Sequence, residues 1–522
     1  MEQKTFYITT SLFYSNGNLH IGHAYETVGT DVMARYKRLR GYDVKFLTGM
    51  DEHGQKVEQT ALNAGISPQE FVDGMANDVK RLFELLEIDY DIFWRTTSEV
   101  HKSAVRKIFN RLYETGDIYK GAYEGLYCTP CETFYTAHQL EDEKCPVCER
   151  KTESVKEEAY FFKLSKYQDR LIKHIEENPD FIQPKSRQNE MLNNFLRPGL
   201  EDLCVTRTSF KWGVPMDFDP EHVSYVWMDA LSNYAVALGF MGEDDTEYKK
   251  YWPADVHVLG KDIVRFHTII WPALLMALEQ PLPKQVFGHG WLNLDGKKMG
   301  KSLGNGVDPL FLAKRYGVDA LRYFLMREVV FGRDGNFSVE ALIGRINADL
   351  ANDLGNLLSR TVGMIEKYFG GKLPKEQAAT DFDESLIATV GEAIKKAEAF
   401  YDKMQFSDAL NEIWNFVRRA NKYIDEVAPW QLFKEGGKAE ALAGCLYYLA
   451  EVLRIAAILI APVMPNTPAS IYAQLNISDD GLKTWEAAKK FGLLPREIEV
   501  CKGEIVFPRI DIKKELEELA EL

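Results

Sequence analysis

Strand-like and helix-like segments alternate along the first part of this chain. A short β-prone segment at residues 6–10 is followed by a helical stretch at 22–40 and a second strand at 44–49. A further helix is predicted to begin after Ser67, whose hydroxyl suits the N-cap position, with Pro68 in the first turn. Alternation of this kind favours a parallel, doubly wound sheet of the Rossmann-like α/β class.

The same alternation returns later, after a stretch of different character. Residues 116–225 hold paired cysteines and short mixed segments, whereas 255–260 and 284–288 again have the pattern of strands that end in loops. The sequence therefore predicts a sheet domain split by an insertion. After about residue 338 apolar residues recur at helical spacing, which predicts a helix bundle. Two stripes carry this pattern: Ile387, Val390, Ile394, Ala397 and Tyr401, and Ala409, Ile413, Phe416, Ala420 and Ile424.

The composition indicates a globular protein of three or four domains in a reducing compartment. The chain has 522 residues, 46% of them hydrophobic, and its seven cysteines include two CxxC pairs, which favours metal binding in the cytoplasm over disulfides. No signal peptide is expected, and the apolar run 441–461 contains Glu451 and Arg454, so it predicts a buried helix rather than a membrane span. The formal net charge of −15 disfavours indiscriminate binding to nucleic acid but permits a local basic face for RNA.

A first candidate site follows the first strand. His20, Gly22 and His23 open the helix that follows that strand and its loop. Helix-terminal N–H groups attract phosphate, two imidazoles three residues apart can donate to phosphoryl oxygens, and Gly22 leaves room for an adenine ring on the backbone. Taken alone, a string of four residues such as His20–His23 occurs often by chance. Its position in the first turn after a strand makes it a more specific signal here.

A second candidate site contains Lys298, Met299, Gly300, Lys301 and Ser302 in a glycine-rich stretch. A solvated basic loop is the usual structure of such a string. Here we favour a mobile loop whose two ammonium groups stabilise charge that develops on pyrophosphate, because nucleotidyl transfer depends on positioning and on stabilising the transition-state charge. Together the two strings predict a nucleotide triphosphate site and an adenylation reaction.

Two CxxC turns predict a structural zinc site. They contribute Cys128 and Cys131, and Cys145 and Cys148, with thirteen residues between the pairs. Four thiolates in two such turns match tetrahedral zinc, and the spacing corresponds to a knuckle rather than a long ribbon. The remaining cysteines are expected to pack as small apolar groups.

These strings resemble a known family. The His20–His23 string and the Lys298–Ser302 string, on a split doubly wound domain, are similar to the signatures of class I aminoacyl-tRNA synthetases. Other strings narrow the resemblance to the methionyl-tRNA synthetase family; they are Thr9–Gly17, Gly49–Gly54, Tyr225–Leu231, Gly260–His267 and Ala428–Trp430. The resemblance covers nearly the whole chain.

The resemblance implies a reaction and a set of ligands. The enzyme would join L-methionine to ATP, with Mg²⁺, expel pyrophosphate, and pass the methionyl group to the terminal ribose of tRNA(Met). His20, His23, Lys298 and Lys301 match the family's catalytic residues, and Gly260 and Asp262 match its adenosine-binding turn, so that ATP would contact His20, Gly22, His23, Gly260, Asp262, Lys298, Met299, Lys301 and Ser302.

The resemblance also implies a methionine pocket. Its residues match Leu12, Tyr14, Asp51, Trp227, Ala230, Tyr234, Ile263 and His267. An apolar and aromatic pocket suits a flexible thioether, Asp51 would receive the substrate ammonium, and Tyr14 and His267 could hydrogen-bond the sulfur weakly.

In the helical region the resemblance implies recognition of the CAU anticodon. Asn356 and Arg360 match anticodon-reading residues and lie four apart, hence on one helix face; by spacing alone they would be an ordinary exposed pair. Pro429 and Trp430 match a helix end whose aromatic ring stacks on an anticodon base.

The resemblance assigns the chain to successive regions. We expect the first half of the catalytic domain at residues 1–115, a zinc-knuckle insertion at 116–225 and the second half of the catalytic domain at 226–305. A stem-contact region is expected at 306–350, a helical anticodon-binding domain at 351–495, and a C-terminal segment with a short helix at 496–522.

Two departures from the family pattern matter. Gly300 replaces the usual serine between the lysines, which removes a hydroxyl contact to phosphate or backbone and adds flexibility to the loop, while both lysines remain. No further C-terminal tRNA-binding, dimer-forming domain is visible before Leu522, so a monomer is expected.

Two alternatives remain. One is a synthetase for leucine, isoleucine, valine or cysteine, although the aliphatic enzymes carry a larger editing insertion and the cysteine enzyme a different zinc ligand set. The other is a zinc-containing RNA-binding protein without catalysis, which the intact His20, His23, Asp51, Lys298 and Lys301 disfavour. Amino-acid-dependent exchange of pyrophosphate into ATP separates all three.

Overall fold

The computed structural model describes residues 3–15, 19–128, 133–135, 140, 142–146, 149–294, 297–298 and 307–520. The chain forms two compact units, and each is assembled from several segments. The first unit comprises Met1–Leu19, Asp43–Glu84 and Asp89–Trp291, and the second comprises His20–Tyr42, Leu85–Ile88 and Leu292–Leu522.

The strands are mostly short. In chain order they are β1 Thr5–Thr9, β2 Phe13–Tyr14, β3 Asp43–Asp51, β4 Ile92–Arg95, β5 Ile118–Cys128, β6 Thr133–Tyr135, β7 Glu153–Phe162, β8 Ile182–Gln183, β9 Leu203–Cys204, β10 Thr206–Arg207, β11 Pro215–Met216, β12 Asp219–Ser224, β13 Val256–Gly260, β14 Val286–His289, β15 Leu292–Leu294, β16 Lys297–Lys298 and β17 Gly335–Phe337.

The α-helices dominate the second half of the chain. They are α1 Ile21–Leu39, α2 Gln55–Asn63, α3 Pro68–Leu85, α4 Glu99–Glu114, α5 Gln168–Glu177, α6 Lys185–Glu190, α7 Val226–Val236, α8 Thr246–Tyr251, α9 Trp271–Ala277, α10 Pro309–Tyr316, α11 Val318–Glu328, α12 Val339–Arg345, α13 Asn356–Phe369, α14 Asp383–Tyr401, α15 Phe406–Val427, α16 Pro429–Glu435, α17 Ala439–Ile460, α18 Thr467–Gln474, α19 Trp485–Ala488 and α20 Ile512–Ala520. Three π-helical turns continue into α-helices or follow them, at Met191–Leu196, Phe266–Ile270 and Ile346–Gly355.

A parallel sheet forms the centre of the first unit. Its order is β2-β3-β1-β13-β14-β8, with β4 also paired to β3, and every pairing is parallel. The predicted doubly wound sheet is therefore confirmed. Because β1 has β3, from the same part of the sequence, on one side and the distant β13 on the other, the carboxyl ends of β1 and β13 flank a topological switch point, where such sheets bind ligands.

The predicted insertion contains antiparallel sheets. Strands β6-β5-β7-β9 form one sheet, with ten residue pairs between β5 and β7, and β10-β12-β11 form another. Part of this stretch returns to the central sheet, since β8 pairs in parallel with β14. The apolar core of this unit joins the sheet to helices from both sides of the insertion; among its buried members are Tyr7, Leu47, Ile108, Leu231 and Trp271.

Helices α13, α14, α15 and α17 pack against one another in the second unit, as the predicted bundle requires. Ile387 is only half-buried, because Leu386 takes the inward position beside it, whereas the other members of both predicted stripes are buried. Helix α17 is long and apolar enough to span a bilayer, yet 94% of its apolar window is buried within the protein, so it is the core helix that its sequence predicts.

Two ionic groups are buried inside that apolar helix. Arg454 and Glu451 pair at 2.7 Å, and both side chains are fully buried. Arg454 also donates to the carbonyl oxygens of Leu482, Ala487 and Lys490, at 2.9–3.2 Å. A paired and fully hydrogen-bonded charge is tolerated in a core, so these residues join α17 to the segment around α19.

Candidate active site

His20 and His23 organise the first turn of α1. His20 is the N-cap residue: its Nδ1 accepts a hydrogen bond from the Gly22 N–H, and its own N–H donates to Nδ1 of His23, both at 3.1 Å. The ring centroids are 4.1 Å apart. Because each Nδ1 accepts a hydrogen bond, the proton of each neutral imidazole is on Nε2. Two Nε2–H donors at a helix N-terminus can bind phosphoryl oxygens.

Gly22 is required by the close approach of His20. A Cβ atom at position 22 would lie 2.8 Å from Cε1 of the His20 ring. Any side chain there would displace the capping imidazole. The structure thus shows a steric need for glycine at position 22, in addition to the room for an adenine ring that the sequence suggests.

The second candidate string, which contains Lys298 and Lys301, lies largely outside the described residues. The backbone of Lys298 ends β16, where it pairs with Asn293 of β15. Met299, Lys301 and Ser302 fall outside the described part of the chain.

Gly260 and Asp262 form a tight turn at the carboxyl end of β13. The N–H of Ile263 donates to the Gly260 carbonyl at 3.1 Å, and a Cβ at position 260 would lie 2.7 Å from Oδ1 of Asp262. Glycine therefore allows this carboxylate to lie against the backbone at the switch point. Nε1 of Trp291 donates to the same carboxylate oxygen at 3.2 Å, a partner that the sequence did not indicate.

Tyr14 and Asp51 are neighbours across strands β2 and β3. They form a register pair, and the Asp51 carbonyl accepts from both N–H and Oγ of Ser15, at 3.1 and 3.0 Å. Asp51 is 8% exposed. A carboxylate that is nearly buried at a strand end favours a cationic partner, as expected for a substrate ammonium.

Trp227 lies flat against Phe266. The two ring systems are 3.6 Å apart between centroids and 5° from parallel. Nε1 of Trp227 is buried and has no hydrogen-bond partner among the described residues. Phe266 was not among the predicted pocket residues, although it lies within the string that carried Ile263 and His267.

Tyr234 and His267 form a buried hydrogen-bonded pair. Tyr234 Oη and His267 Nε2 are 2.7 Å apart, and His267 Nδ1 lies 3.0 Å from the Ile263 carbonyl. Since a carbonyl only accepts, Nδ1 carries the proton and Nε2 accepts from the tyrosine hydroxyl. Burial lowers the pKa of His267 to about 4. With both nitrogens engaged in the protein, the hydrogen bond from His267 to a sulfur atom that we expected would require displacement of Ile263 or Tyr234.

The remaining predicted pocket residues belong to the same unit. Leu12, Trp227 and Ile263 are partly buried against its apolar core, and Ala230 is 7% exposed. The predicted pocket residues thus come from strands β2 and β3 with the segment before β2, from helix α7, and from the turn and π-helical segment that follow β13.

The sequence did not indicate a buried network behind these residues. Asp229 accepts from His53 Nδ1 at 2.6 Å and from His101 Nε2 at 2.7 Å, and all three side chains are almost completely buried. Trp94 Nε1 donates to the other nitrogen of His101 at 3.0 Å. The two histidines hold the pKa of Asp229 well below its usual range despite burial. The network connects His53, two residues after Asp51, with Asp229, which precedes Ala230.

Two of the four predicted zinc ligands lie in the described part of the chain. Cys128 and Cys145 are buried and pack together in a small cluster with Leu140. The Glu149 N–H donates to the Cys145 carbonyl at 2.8 Å. Cys131 and Cys148 lie outside the described residues. Two buried cysteines in one cluster are compatible with a thiolate metal site.

The predicted anticodon residues lie on helices α13 and α16. Asn356 begins α13 and is exposed, and Arg360, one turn later, donates to Asp425 Oδ1 at 3.0 Å. Ala428 has a left-handed backbone (φ 48°), which ends α15 and starts α16 at Pro429. This abrupt turn leaves Trp430 39% exposed at the beginning of α16.

Comparison with known proteins identifies related sequences over nearly the whole chain. A family model described as "tRNA synthetases class I (M)" matches residues 6–155 and 135–362, and one described as "Anticodon binding domain of methionyl tRNA ligase" matches residues 373–521. The methionine–tRNA ligase of Caldanaerobacter subterraneus subsp. tengcongensis is 61% identical over 517 residues, 99% of this chain and 81% of the relative. That of Bacillus subtilis is 54% identical over 527 residues, 99% of this chain and 79% of the relative.

Solved structures agree with these sequence relatives. The chain is similar to Mycobacterium tuberculosis methionyl-tRNA synthetase in complex with methionyl-adenylate, with a TM-score of 0.92 and 42% identity over 97% of this chain and 100% of that one. The apo form of the Mycobacterium enzyme gives a TM-score of 0.85 at 39% identity, over 98% and 99% of the two chains.

Proposed function

Because the chain belongs to the methionyl-tRNA synthetase family of class I aminoacyl-tRNA synthetases, we propose that it is a methionine–tRNA ligase. It activates L-methionine with ATP and transfers the methionyl group to the 3′ end of tRNA(Met). The observation that carries this proposal is the match over 99% of the chain to a ligase of that name at 61% identity. A class I core and an anticodon-binding region in one chain are the parts that such a reaction needs.

The reaction has two group transfers. A methionine carboxylate oxygen forms a bond to the α-phosphorus of ATP, and the bond from that phosphorus to the bridging oxygen breaks, which releases pyrophosphate. A hydroxyl of the terminal ribose then bonds to the methionyl carbonyl carbon, its proton is lost, and AMP leaves. Negative charge moves onto pyrophosphate in the first transfer, so cationic and N–H donors near the leaving group lower the barrier.

We assign that stabilisation to His20, His23, Lys298 and Lys301, with Mg²⁺ bound to the ATP. The Nε2–H groups of the two imidazoles are donors of the required type. Gly22, Met299 and Ser302 are proposed to contact the nucleotide in the same strings, and Gly260 and Asp262 to hold the adenosine. The tight turn that puts the Asp262 carboxylate against the end of β13 supports its role as an acceptor for ribose hydroxyls.

We propose that the methionine pocket consists of Leu12, Tyr14, Asp51, Trp227, Ala230, Tyr234, Ile263 and His267. The nearly buried Asp51 carboxylate provides charge-assisted recognition of the ammonium group. Aromatic and aliphatic walls suit the thioether. The neutral state of His267 supports the assignment, since an uncharged imidazole belongs in a pocket for an apolar side chain.

The tRNA ligand is recognised at the helical domain in this proposal. Asn356, Arg360, Pro429 and Trp430 form the anticodon surface, and the exposure of Trp430 supports its role in base stacking. We retain the regions 1–115, 116–225, 226–305, 306–350, 351–495 and 496–522 as the functional divisions of the chain. The protein is proposed to act as a monomer in the cytoplasm.

A structural zinc ion is proposed at Cys128, Cys131, Cys145 and Cys148. The grouping of the buried Cys128 and Cys145 in one cluster supports this ligand set, because the ligands of a tetrahedral thiolate site must lie close together. The ion would stabilise the tip of the insertion and take no part in the reaction.

Metal analysis of the purified protein should find about one zinc per chain. Removal of the metal by a chelator, or Cys145→Ser, should lower the thermal stability of the insertion, whereas Cys501→Ser, at an exposed cysteine, should not change the metal content. A fully active, stable preparation without zinc would overturn the assignment.

Exchange of pyrophosphate into ATP tests the proposed reaction directly. It should depend on methionine, and Lys301→Ala should lower the rate constant far more than it raises the methionine KM, because the lysine acts on charge that develops in the transition state. Lys314→Ala, at an exposed position of α10, serves as the matched control. Exchange with leucine and not with methionine would refute the specificity, and no exchange with any amino acid would refute the reaction.

A further inference from the structure

Helix α16 presents two large aromatic side chains to solvent. Trp430 is 39% exposed and Phe433 is 51% exposed. Residues three apart in a helix project from the same side, so the two rings are neighbours along one face. Their sequence neighbours Gln431 and Lys434 are exposed and polar, so the aromatic face is narrow.

Phe433 is held in place by a residue of α13. Its ring lies 4.6 Å from that of Tyr368 between centroids, and the rings are 28° from parallel, which is a stacked arrangement. Tyr368 is half-buried, so the pair has one protected and one exposed member. A large ring fixed by stacking while half its surface contacts water is a preformed platform for another planar group.

The position of the pair relates it to the proposed anticodon surface. Tyr368 follows Arg360 by eight residues on α13, which corresponds to about 12 Å along the helix axis. Phe433 follows the proposed base-stacking Trp430 by less than one helical turn. The pair thus continues the proposed surface on both of its helices, within a distance that a few nucleotides of single-stranded RNA can span.

The charges beside the pair favour a nucleic acid. Lys367 Nζ lies 5.5 Å from the centre of the Tyr368 ring, and Lys434 follows Phe433 directly; both lysines are exposed. Glu366 and Glu435 are the sequence neighbours of these lysines, and Glu435 is paired with Lys438 at 2.7 Å, so Lys367 and Lys434 are the cations that the two helices place next to the rings. Aromatic rings with adjacent cations are the usual combination for single-stranded nucleic acid, in which bases stack and phosphates pair with the cations.

We propose that the Tyr368–Phe433 pair is a second stacking platform for an unpaired base of the anticodon loop, one that flanks the anticodon triplet, with Lys367 and Lys434 contacting adjacent phosphates. This inference rests on the proposed anticodon surface and extends it to a base outside the triplet. Stacking tolerates any base, so the platform contributes affinity and orientation to tRNA binding more than sequence specificity.

The test uses the full chain and a synthetic anticodon stem–loop of tRNA(Met) with 2-aminopurine at the loop position that follows the triplet. Phe433→Ala should weaken binding of this hairpin about 5- to 150-fold, the range for one lost base stack. It should also abolish the quenching of 2-aminopurine fluorescence that stacking causes. Phe433→Trp should restore both, because a larger ring still stacks.

Three further variants separate the possible outcomes. Phe382→Ala removes another exposed phenylalanine of the same unit, 38% exposed, and should leave hairpin binding unchanged. Lys434→Ala should reduce the salt dependence of binding by about one counterion. Pyrophosphate exchange should be unaffected in all of these variants, since no tRNA takes part in it.

The Trp430→Ala variant distinguishes failure of this inference from failure of the proposed function. If Trp430→Ala weakens hairpin binding and Phe433→Ala does not, the second platform is refuted while the anticodon surface remains. If neither variant changes binding, the anticodon surface itself is refuted. If Phe433→Ala lowers hairpin affinity but leaves 2-aminopurine quenching intact, the platform contacts some other group and the proposal is overturned. The proposal is also overturned if Phe433→Ala weakens binding of the enzyme to another protein while its binding to the RNA hairpin is unchanged.

Discussion

His267 is held in its neutral form by its surroundings. Its side chain is buried, Nδ1 donates to a carbonyl, and Nε2 accepts from Tyr234, so protonation would place a charge among groups that cannot solvate it. His257, which accepts from Trp271 Nε1 and contacts the Tyr234 ring, is buried beside it with a pKa also lowered by burial. One uncharged imidazole, that of His267, therefore belongs to the proposed methionine pocket, and a second, that of His257, lies against the ring of its neighbour Tyr234.

Stability should consequently fall in mild acid. The pKa of His267 is about 4 in the folded protein, below the value near 6.5 of an unfolded histidine, so the unfolded chain binds more protons as the pH falls. The free energy of unfolding should decrease between about pH 6.5 and pH 4, with a contribution from His267 on the order of 3 kcal/mol. His267→Gln should show a shallower decrease in urea titrations across this window, whereas substitution of an exposed glutamine, Gln431→Ala, should not. An unchanged slope in His267→Gln would contradict the assignment of this residue as neutral and buried.

The N-terminal turn of α1 combines a structural and a chemical task in one side chain. His20 caps the helix through Nδ1, and its Nε2–H remains the donor proposed to act on phosphate. Histidine is not a common N-cap residue, so a sequence alone gives little reason to expect this cap. The structure suggests how the two tasks can be separated by substitution.

His20→Asn should keep the cap, because asparagine is among the best N-cap residues, whereas His20→Ala should lose about 1 kcal/mol of stability. Both variants lack the imidazole donor and should lower the pyrophosphate exchange rate about 100-fold or more, as for loss of one transition-state donor. Chemical denaturation and exchange kinetics on the same preparations measure the two effects. If His20→Asn retains full activity, the histidine is a cap and has no role in adenylation.

Most elements were predictable, because periodicity and capping are local properties. The strands β1, β3, β13 and β14 and the helix α1 appear within two residues of their predicted bounds. The pairing of β8 with the parallel sheet was not predictable, since a two-residue strand has no pattern of its own. The His53–Asp229–His101 network was missed for a related reason: it joins residues more than 100 positions apart, and no spacing in the sequence signals their contact.

Buried ionic networks hold the second unit together across long stretches of chain. Arg322 is fully buried and pairs with Asp31 of α1 at 2.6 Å. It also donates to the carbonyls of Val463, Leu86 and Pro462, at 2.8–3.1 Å. One guanidinium therefore satisfies acceptors from α1, from the short segment 85–88 and from the chain that follows α17.

Arg322→Lys should destabilise the protein strongly, because lysine cannot reproduce these divergent donors and would leave Asp31 and several carbonyls incompletely satisfied. Loss of one partner of a buried pair costs about 3–5 kcal/mol. Arg418→Lys, on an exposed and loosely paired arginine, should cost much less. Thermal unfolding of both variants measures the difference; equal effects would show that the Arg322 network contributes no more than a surface ion pair.

The Asp31–Arg322 pair also sets an order of events during synthesis of the chain. The two residues are 291 positions apart, so at 5–20 residues per second the ribosome would deliver the arginine about 15–60 s after the aspartate. Until then Asp31 can pair with Arg35 of the same helix, at 2.8 Å, but the fully buried donor that joins α1 to α11 has not yet been made. The parallel sheet, complete at His289, can form during this interval. The helix with the two histidines at its N-terminus is thus among the first parts of the protein to be made and among the last to reach its final packing.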